Sequence, residues 1–189
     1  MIVKHSALIN FDENPIIAAV RSKEDFSRAL ETDVQTVFLL SSNIMDVDEY
    51  ARKAQEAGKK LFVHIDFTEG LSKDAAGLNY IITKGIDGII STRSGVIKYA
   101  AENGIPSIQR FFMIDSRSVD TALESMRTSR PDMIEIMPAV AYKTITKLKN
   151  NTKIPIIAGG LVEKKEEIFS AISAGAAGVS TGVPELWEM

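Results

Sequence analysis

Eight short apolar runs recur along this chain of 189 residues at intervals of roughly 20 to 26 residues, and no other feature constrains its fold as tightly. They are Ile16–Val20, Thr36–Leu40, Leu61–Ile65, Gly88–Ile90, Ser107–Phe112, Met133–Ile136, Ile156–Ala158 and Ala176–Ser180. Each run is continuous rather than alternating, as expected of parallel strands buried on both faces. The segments between them carry helical spacing and helix-end signals. Ser22 precedes Lys-Glu-Asp, a cap followed by acids in the first turn. Asp46 opens a pattern that ends at Gly58, Ser94 one that closes at Gly104, and Ser116 one over Arg117–Thr128 that Pro131 stops. Ile168 and Ile172 form one turn of an apolar stripe before Gly175, and a short helix is expected around Leu186 and Trp187.

Eight strands alternating with seven internal helices predict a closed, small (β/α)8 barrel of the TIM type. The competitor is an open doubly wound sheet, which gathers its ligand groups at one switch point. Here polar residues stand at nearly every strand end: Arg21, Ser41, His64 with Asp66, Arg93, Arg110, Glu135, Gly159 and Thr181. A ring of this kind suits the C-terminal face of a barrel, although such barrels usually run to about 200 residues or more. With no linker, low-complexity segment or break in composition, the expectation is one domain over residues 1–189, residues 1–14 being an N-terminal extension.

Composition narrows the function. The formal charge of −3 and the pI of about 5.5 advertise neither nucleic-acid nor anionic-membrane binding. There is no cysteine, which removes disulfides and thiolate chemistry and suits a reducing cytoplasm. No apolar stretch approaches the length of a membrane span and the N-terminus lacks the layout of a signal peptide, so a cytoplasmic protein without membrane attachment is expected.

The two most telling segments are Ile156-Ile-Ala-Gly-Gly-Leu161 and Gly178-Val-Ser-Thr-Gly182. Both are apolar runs that stop at glycines or hydroxyls, where backbone N–H groups and a following helix N-terminus suit an anion. In barrels, the loops after strands 7 and 8 commonly hold a phosphate. Gly159, Gly160, Ser180 and Thr181 are therefore candidate phosphate ligands; the structural alternative for the glycine pair is a tight turn. His64 and Asp66, two apart at a strand end, face the same side. They form an acid–base pair, a polyol site, or a hydrogen-bonded pair at the barrel mouth. With only two histidines, His64 and His5, no metal is expected.

Arg93 and Arg110 near strand ends need anionic partners. Glu135 and Asp66 inside the protein are one source of these, an incoming anion another. Glu135, flanked by isoleucines, pairs with an arginine or holds ligand hydroxyls. Residues 136–162 contain no acid but carry Lys143, Lys147, Lys149 and Lys153, with Ala141, Ile145 and Leu148 as the buried stripe of their helix. A solvated face is the bland reading; a phosphate-binding surface is the functional one.

Five segments occur together: Val63-His-Ile-Asp-Phe-Thr-Glu-Gly-Leu71, Ile90-Ser-Thr-Arg-Ser94, Ile108-Gln-Arg-Phe-Phe-Met-Ile-Asp-Ser116, Ile134-Glu-Ile-Met-Pro138 and Ile157-Ala-Gly-Gly160. In this order they resemble the glycerol-3-phosphate-responsive antiterminator family, from about Pro15 to Trp187. The resemblance implies a barrel without known catalysis that senses glycerol 3-phosphate and acts on the leader mRNA of glycerol-utilisation operons. Two departures stand near the ligand end: Ala139, where the family pattern tends to have Gly after Pro, and the Ser180-Thr181-Gly182 segment. The expected site places the ligand phosphate on the N–H groups of Gly160 and Thr181, helped by Arg110 or Arg93. It places the hydroxyls on His64, Asp66 and Glu135. No cofactor is called for. The alternative is an isomerase, aldolase or lyase acting on a small phosphorylated metabolite, with Asp66 or Glu135 as base and His64 as acid.

Overall fold

The computed structural model describes residues 8–115 and 117–189. His5 and Ser116, read above as a residue outside the barrel and as a helix opener, lie outside the described residues. Eight strands form the barrel: β1 Ile16–Val20, β2 Thr36–Leu39, β3 Lys60–His64, β4 Gly88–Ser91, β5 Ser107–Phe112, β6 Met133–Met137, β7 Ile156–Gly159 and β8 Gly178–Thr181. All pairs are parallel and the ring closes where Ile16 of β1 registers with Val179 of β8. The helices are α1 Lys23–Glu31, α2 Val47–Glu56, α3 Ala75–Ile82, α4 Ser94–Glu102, α5 Arg117–Ser129, α6 Tyr142–Asn151 and α7 Lys165–Ser173, with a 3-10 turn at Pro184–Leu186. The expected (β/α)8 barrel is the observed fold.

The strands form because their residues are buried on both sides. Outward-facing Ile16, Val37, Val63, Ile89, Ile134 and Ala158 pack against the helices. Inward-facing Ile17, Phe38, Phe62, Ile90, Ile108 and Ile157 fill the lower barrel, together with Ile9 and the partly buried Leu8 and Phe11. Each such side chain contributes about 1.5–3 kcal/mol by leaving water. One step further along four of the strands, on the same inner face, the apolar layer ends: His64 follows Phe62, Arg110 follows Ile108, Glu135 follows Met133 and Gly159 follows Ile157. The barrel thus has an apolar lower layer and a polar upper layer.

Of the helix starts expected at Ser22, Asp46 and Ser94, one is capped as expected and two differ. Ser22 caps α1, accepting from the Asp25 N–H at 3.0 Å. Asp46 sits at the N-cap of α2 without a side-chain cap bond. Ser94 is the first residue of α4 rather than its cap, Arg93 holding that position. The Ser94 hydroxyl is used sideways instead, 3.1 Å from Gln109 Nε2 and 2.8 Å from Ser125 Oγ. A two-residue parallel ladder, Ser42–Asn43 with Thr68–Glu69, ties the loops after β2 and β3 together above the barrel. Runs that short leave no periodic signal in a sequence.

Candidate functional site

A cavity of about 340 Å³ opens at the C-terminal end of the barrel, between the ends of β1, β5, β6, β7 and β8. Its lining includes Arg21, Arg110, Glu135, Met137, Gly160, Leu161, Ser180, Thr181 and Gly182. Exposed Met45, Phe67, Phe112, Ile114, Val140 and Leu161 stand on the surrounding loops and strand ends.

Glu135 is the centre of the buried side of this mouth. Register places Arg110 of β5 beside it, and Arg110 Nε donates to Glu135 Oε2 at 2.6 Å. Ser180 Oγ donates to the other oxygen, also at 2.6 Å. Both charged side chains are nearly closed to solvent, at 7% and 1% exposure. Gly159 is small for a reason: a Cβ there would run into Glu135 Oε1 and would meet Ser180 Oγ at 2.6 Å. At the next residue the chain turns into left-handed backbone, Gly160 at φ 75° and Leu161 at φ 58°. A Cβ on Gly160 would also strike Met137 Cε at 2.7 Å. Leu161 is a non-glycine residue held in a sparsely populated conformation at a strand end, a feature that concentrates at ligand sites.

The hydroxyl of Thr181 is engaged by the neighbouring loops. It donates to the Val162 carbonyl at 3.0 Å and accepts from the Val183 N–H at 3.1 Å. The cation beside the Gly182 turn is Arg21, exposed just after β1, with Nη1 3.8 Å from where a Cβ of Gly182 would lie. Among the described residues Arg21 forms no ion pair. Sequence reading counted Arg21 among the cationic strand ends but left it out of the site. Only barrel closure, which sets β1 against β8, brings it to the glycines.

Asp66 and Arg93 sit on the other side of the mouth. Asp66 accepts from the Ser91 hydroxyl, the Thr92 N–H and the Thr92 hydroxyl, each at 2.8 Å. Burial pushes its carboxyl up, but those hydrogen bonds outweigh it and leave the pKa below the usual carboxylate value. Arg93, with a side chain 60% exposed, lies 3.7 Å from Asp66. His64 is buried, 4.0 Å from Asp66 Oδ2, and stacks on Phe67 with ring centroids 5.0 Å apart. Burial, then the Arg110 charge, lower its pKa to about 4 against an opposing pull from Asp66. The imidazole is therefore neutral near pH 7.

The four lysines separate into two pairs. Lys143 and Lys147 project from α6, and Lys147 Nζ reaches Asp120 of the neighbouring α5 at 3.6 Å. Lys149 and Lys153 line a groove with Asp12 and Phe11 at the opposite, lower end. Lys59, with Nζ on the carbonyls of Thr32 and Val34, stands at that lower end too. Among the described residues no cluster of three or more His, Asp or Glu is placed to hold a metal ion, and no helix is long and apolar enough to cross a membrane.

A family model described as "Glycerol-3-phosphate responsive antiterminator" matches residues 16–187. The chain belongs to the glycerol-3-phosphate-responsive antiterminator family. Among solved structures it is similar to a glycerol uptake operon antiterminator regulatory protein from Listeria monocytogenes, at 33% identity and a TM-score of 0.90 over 95% of this chain and 98% of that one. It is similar also to a glycerol uptake operon antiterminator-related protein from Thermotoga maritima, at 32% identity and a TM-score of 0.83 over 92% and 98% of the two chains. The Escherichia coli K12 protein YgcP, described as uncharacterized, is 33% identical over 178 residues, 94% of this chain and 93% of its own. Deoxyribose phosphate aldolase from Aeropyrum pernix shares the barrel alone, at 14% identity and a TM-score of 0.71. Against the family pattern, Ala139 is fully buried, and its N–H donates to the Gly160 carbonyl at 3.1 Å. That backbone bond, which a glycine would also make, braces the β6 loop against the glycine turn of β7.

Proposed function

We propose that this protein is a glycerol-3-phosphate-responsive transcription antiterminator that acts on the leader mRNA of glycerol-utilisation operons. The observation that carries the reading is the cavity at the ends of β7 and β8 in a chain of this family, with Arg21 beside the Gly160 and Gly182 turns. The phosphate sits on the backbone N–H groups of Gly160 and of the Thr181–Gly182 turn, with Arg21 as its cation. The polyol end meets the upper-layer side chains Ser180, Glu135 and Arg110. Asp66 and Arg93 hold the loops after β3 and β4 that border the ligand. An enzyme on the same scaffold is less well supported, because Asp66 and Glu135, the two candidate bases, are each engaged in several internal hydrogen bonds.

The ligand is tested by thermal unfolding with glycerol 3-phosphate and with glycerol. Glycerol 3-phosphate at a hundredfold excess over Kd stabilises the native state by about 2.7 kcal/mol, and glycerol does not. Equal shifts from the two compounds overturn the phosphate site. The RNA step is tested by leader-RNA binding with ligand present, comparing the chain with a Lys143→Glu, Lys147→Glu variant. The variant loses RNA affinity while its ligand-induced melting shift stays, and the salt slope falls by roughly 0.7 to 0.9 per lost contact. Unchanged affinity removes the α6 face from the RNA surface, and failure of the unaltered chain to bind leader RNA ends the antiterminator reading.

A further inference from the structure

Of the upper-layer polar side chains, His64 stands out. Both of its ring nitrogens are buried and neither has a hydrogen-bond partner. An orphaned polar group of this kind in a native fold points to something that binds there. The neighbours do not satisfy it. Asp66 Oδ2 is 4.0 Å from Nε2, beyond hydrogen-bond reach, and the Asp66 oxygens are held by Ser91 and Thr92. Arg110, the other charged group facing the ring, is turned onto Glu135. The ring of Phe67 is stacked over the imidazole and is itself 65% exposed, whereas His64 is 1% exposed. Phe67 is thus the cover between His64 and the mouth.

Charge balance supplies the second argument. Arg110 is compensated by Glu135, Arg93 leans on Asp66 and the Lys73 ammonium is held by the Thr68 and Leu71 carbonyls, which leaves Arg21 as the cation without such a partner beside the Gly182 turn among the described residues. A phosphomonoester carries about −1.5 to −2 charge at pH 7. One guanidinium and peptide dipoles offset only part of that. A neutral imidazole that gains a proton supplies the rest.

We propose that His64 is a proton-linked ligand contact. The phosphorylated ligand displaces the Phe67 ring, the imidazole takes one proton from solvent, and the resulting imidazolium donates to the ligand. No bond within the ligand is made or broken. The sign follows from the free protein, in which burial and Arg110 keep the ring neutral at pH 7. A dianion held at the Gly160 and Gly182 turns across the same mouth favours the charged form of the ring, so affinity rises as pH falls. This inference rests on the ligand reading above and adds the proton to it.

The test is isothermal titration calorimetry of the full chain with glycerol 3-phosphate at pH 7, in buffers of different ionisation enthalpy. The unaltered chain takes up about half a proton or more beyond the His64→Gln variant, which controls for titration of the ligand phosphate itself. Nitrogen-15 NMR of the imidazole, assigned with the same variant, shows a neutral ring in the free protein and both nitrogens protonated in the complex. This second readout decides the matter if the variant binds too weakly for calorimetry. Binding with equal proton uptake in both proteins, or a neutral His64 ring in the complex, overturns the inference and leaves the ligand reading intact. Absence of any binding of glycerol 3-phosphate by the unaltered chain overturns the ligand reading, and this inference with it.

Discussion

Glu135 and Asp66 are two carboxylates at the same end of one barrel, held by opposite means. Glu135 lies inside the ring of strands and takes a full positive charge, Arg110 at 2.6 Å, plus the Ser180 hydroxyl. Asp66 lies just beyond β3, is partly solvated, and is served by one N–H and two hydroxyls, with Arg93 more distant at 3.7 Å. Depth explains the contrast. An unpaired carboxylate in the barrel interior would suffer a desolvation penalty that neutral donors offset poorly. At the rim, water shares the task, and a set of dipoles holds the charge.

The comparison is broken most directly by removing an arginine from each side. Arg110→Ala leaves Glu135 buried without its counter-ion, and the apo protein should lose about 3–5 kcal/mol. Arg93→Ala removes a largely exposed partner and should change stability by less than about 1 kcal/mol. Denaturant melts of both variants without ligand measure this. Comparable losses would mean that burial does not separate the two pairs, and a small loss for Arg110→Ala would assign that arginine to an incoming anion.

The next effect is one of pH. His64 has a folded pKa of about 4, below its ordinary 6.5. Above pH 6.5 both folded and unfolded states hold the ring neutral. As pH falls from 6.5 to about 4 the unfolded state binds a proton that the native state refuses, and roughly 3 kcal/mol of relative stability is lost. Asp66, whose folded pKa is lowered below 3.8, contributes stability above that value and loses it only at more acid pH. The two groups therefore act in separate windows. Urea melts at pH 7, 5.5 and 4.5 should show the decline in the unaltered chain and a much flatter profile in His64→Gln. A parallel decline in the variant would reassign the acid sensitivity to other groups.

The smallest effect sharpens the account of Asp66. Thr92→Val deletes the hydroxyl at 2.8 Å and keeps the N–H bond. Stability should drop by about 0.5–1.5 kcal/mol. The ligand-induced melting shift should remain, because Thr92 belongs to the loop scaffold. Loss of that shift would bring the Asp66 side of the mouth into direct ligand contact.

Much of this molecule was determined locally and so was legible in its sequence. Eight continuous apolar runs, helix caps such as Ser22 and turn glycines such as Gly58 act within a few residues, and together they specify eight βα units. Period-two alternation also set His64, Arg110, Glu135 and Gly159 on the inner face. Partner choice was decided only by the tertiary structure. Arg110 could have met an incoming anion or Glu135, and it is the β5–β6 register that pairs it with Glu135. His64 and Asp66 share a face in sequence terms, yet the turn at Ile65–Phe67 leaves them 4.0 Å apart while the β4 end captures Asp66. The Thr181 hydroxyl is held by the Val162 carbonyl of the loop after β7, a partner nineteen residues away that its own strand does not reveal. Closure of the barrel sets Arg21 beside Gly182. Four lysines that are neighbours in the chain end on two different surfaces because Lys149, in the last turn of α6, and Lys153, just past its end, line the lower groove. The physical reason is common to all of these. Which face a residue takes depends on its own strand, whereas what it touches depends on strands 20 to 160 residues away, whose positions are settled only when the ring closes.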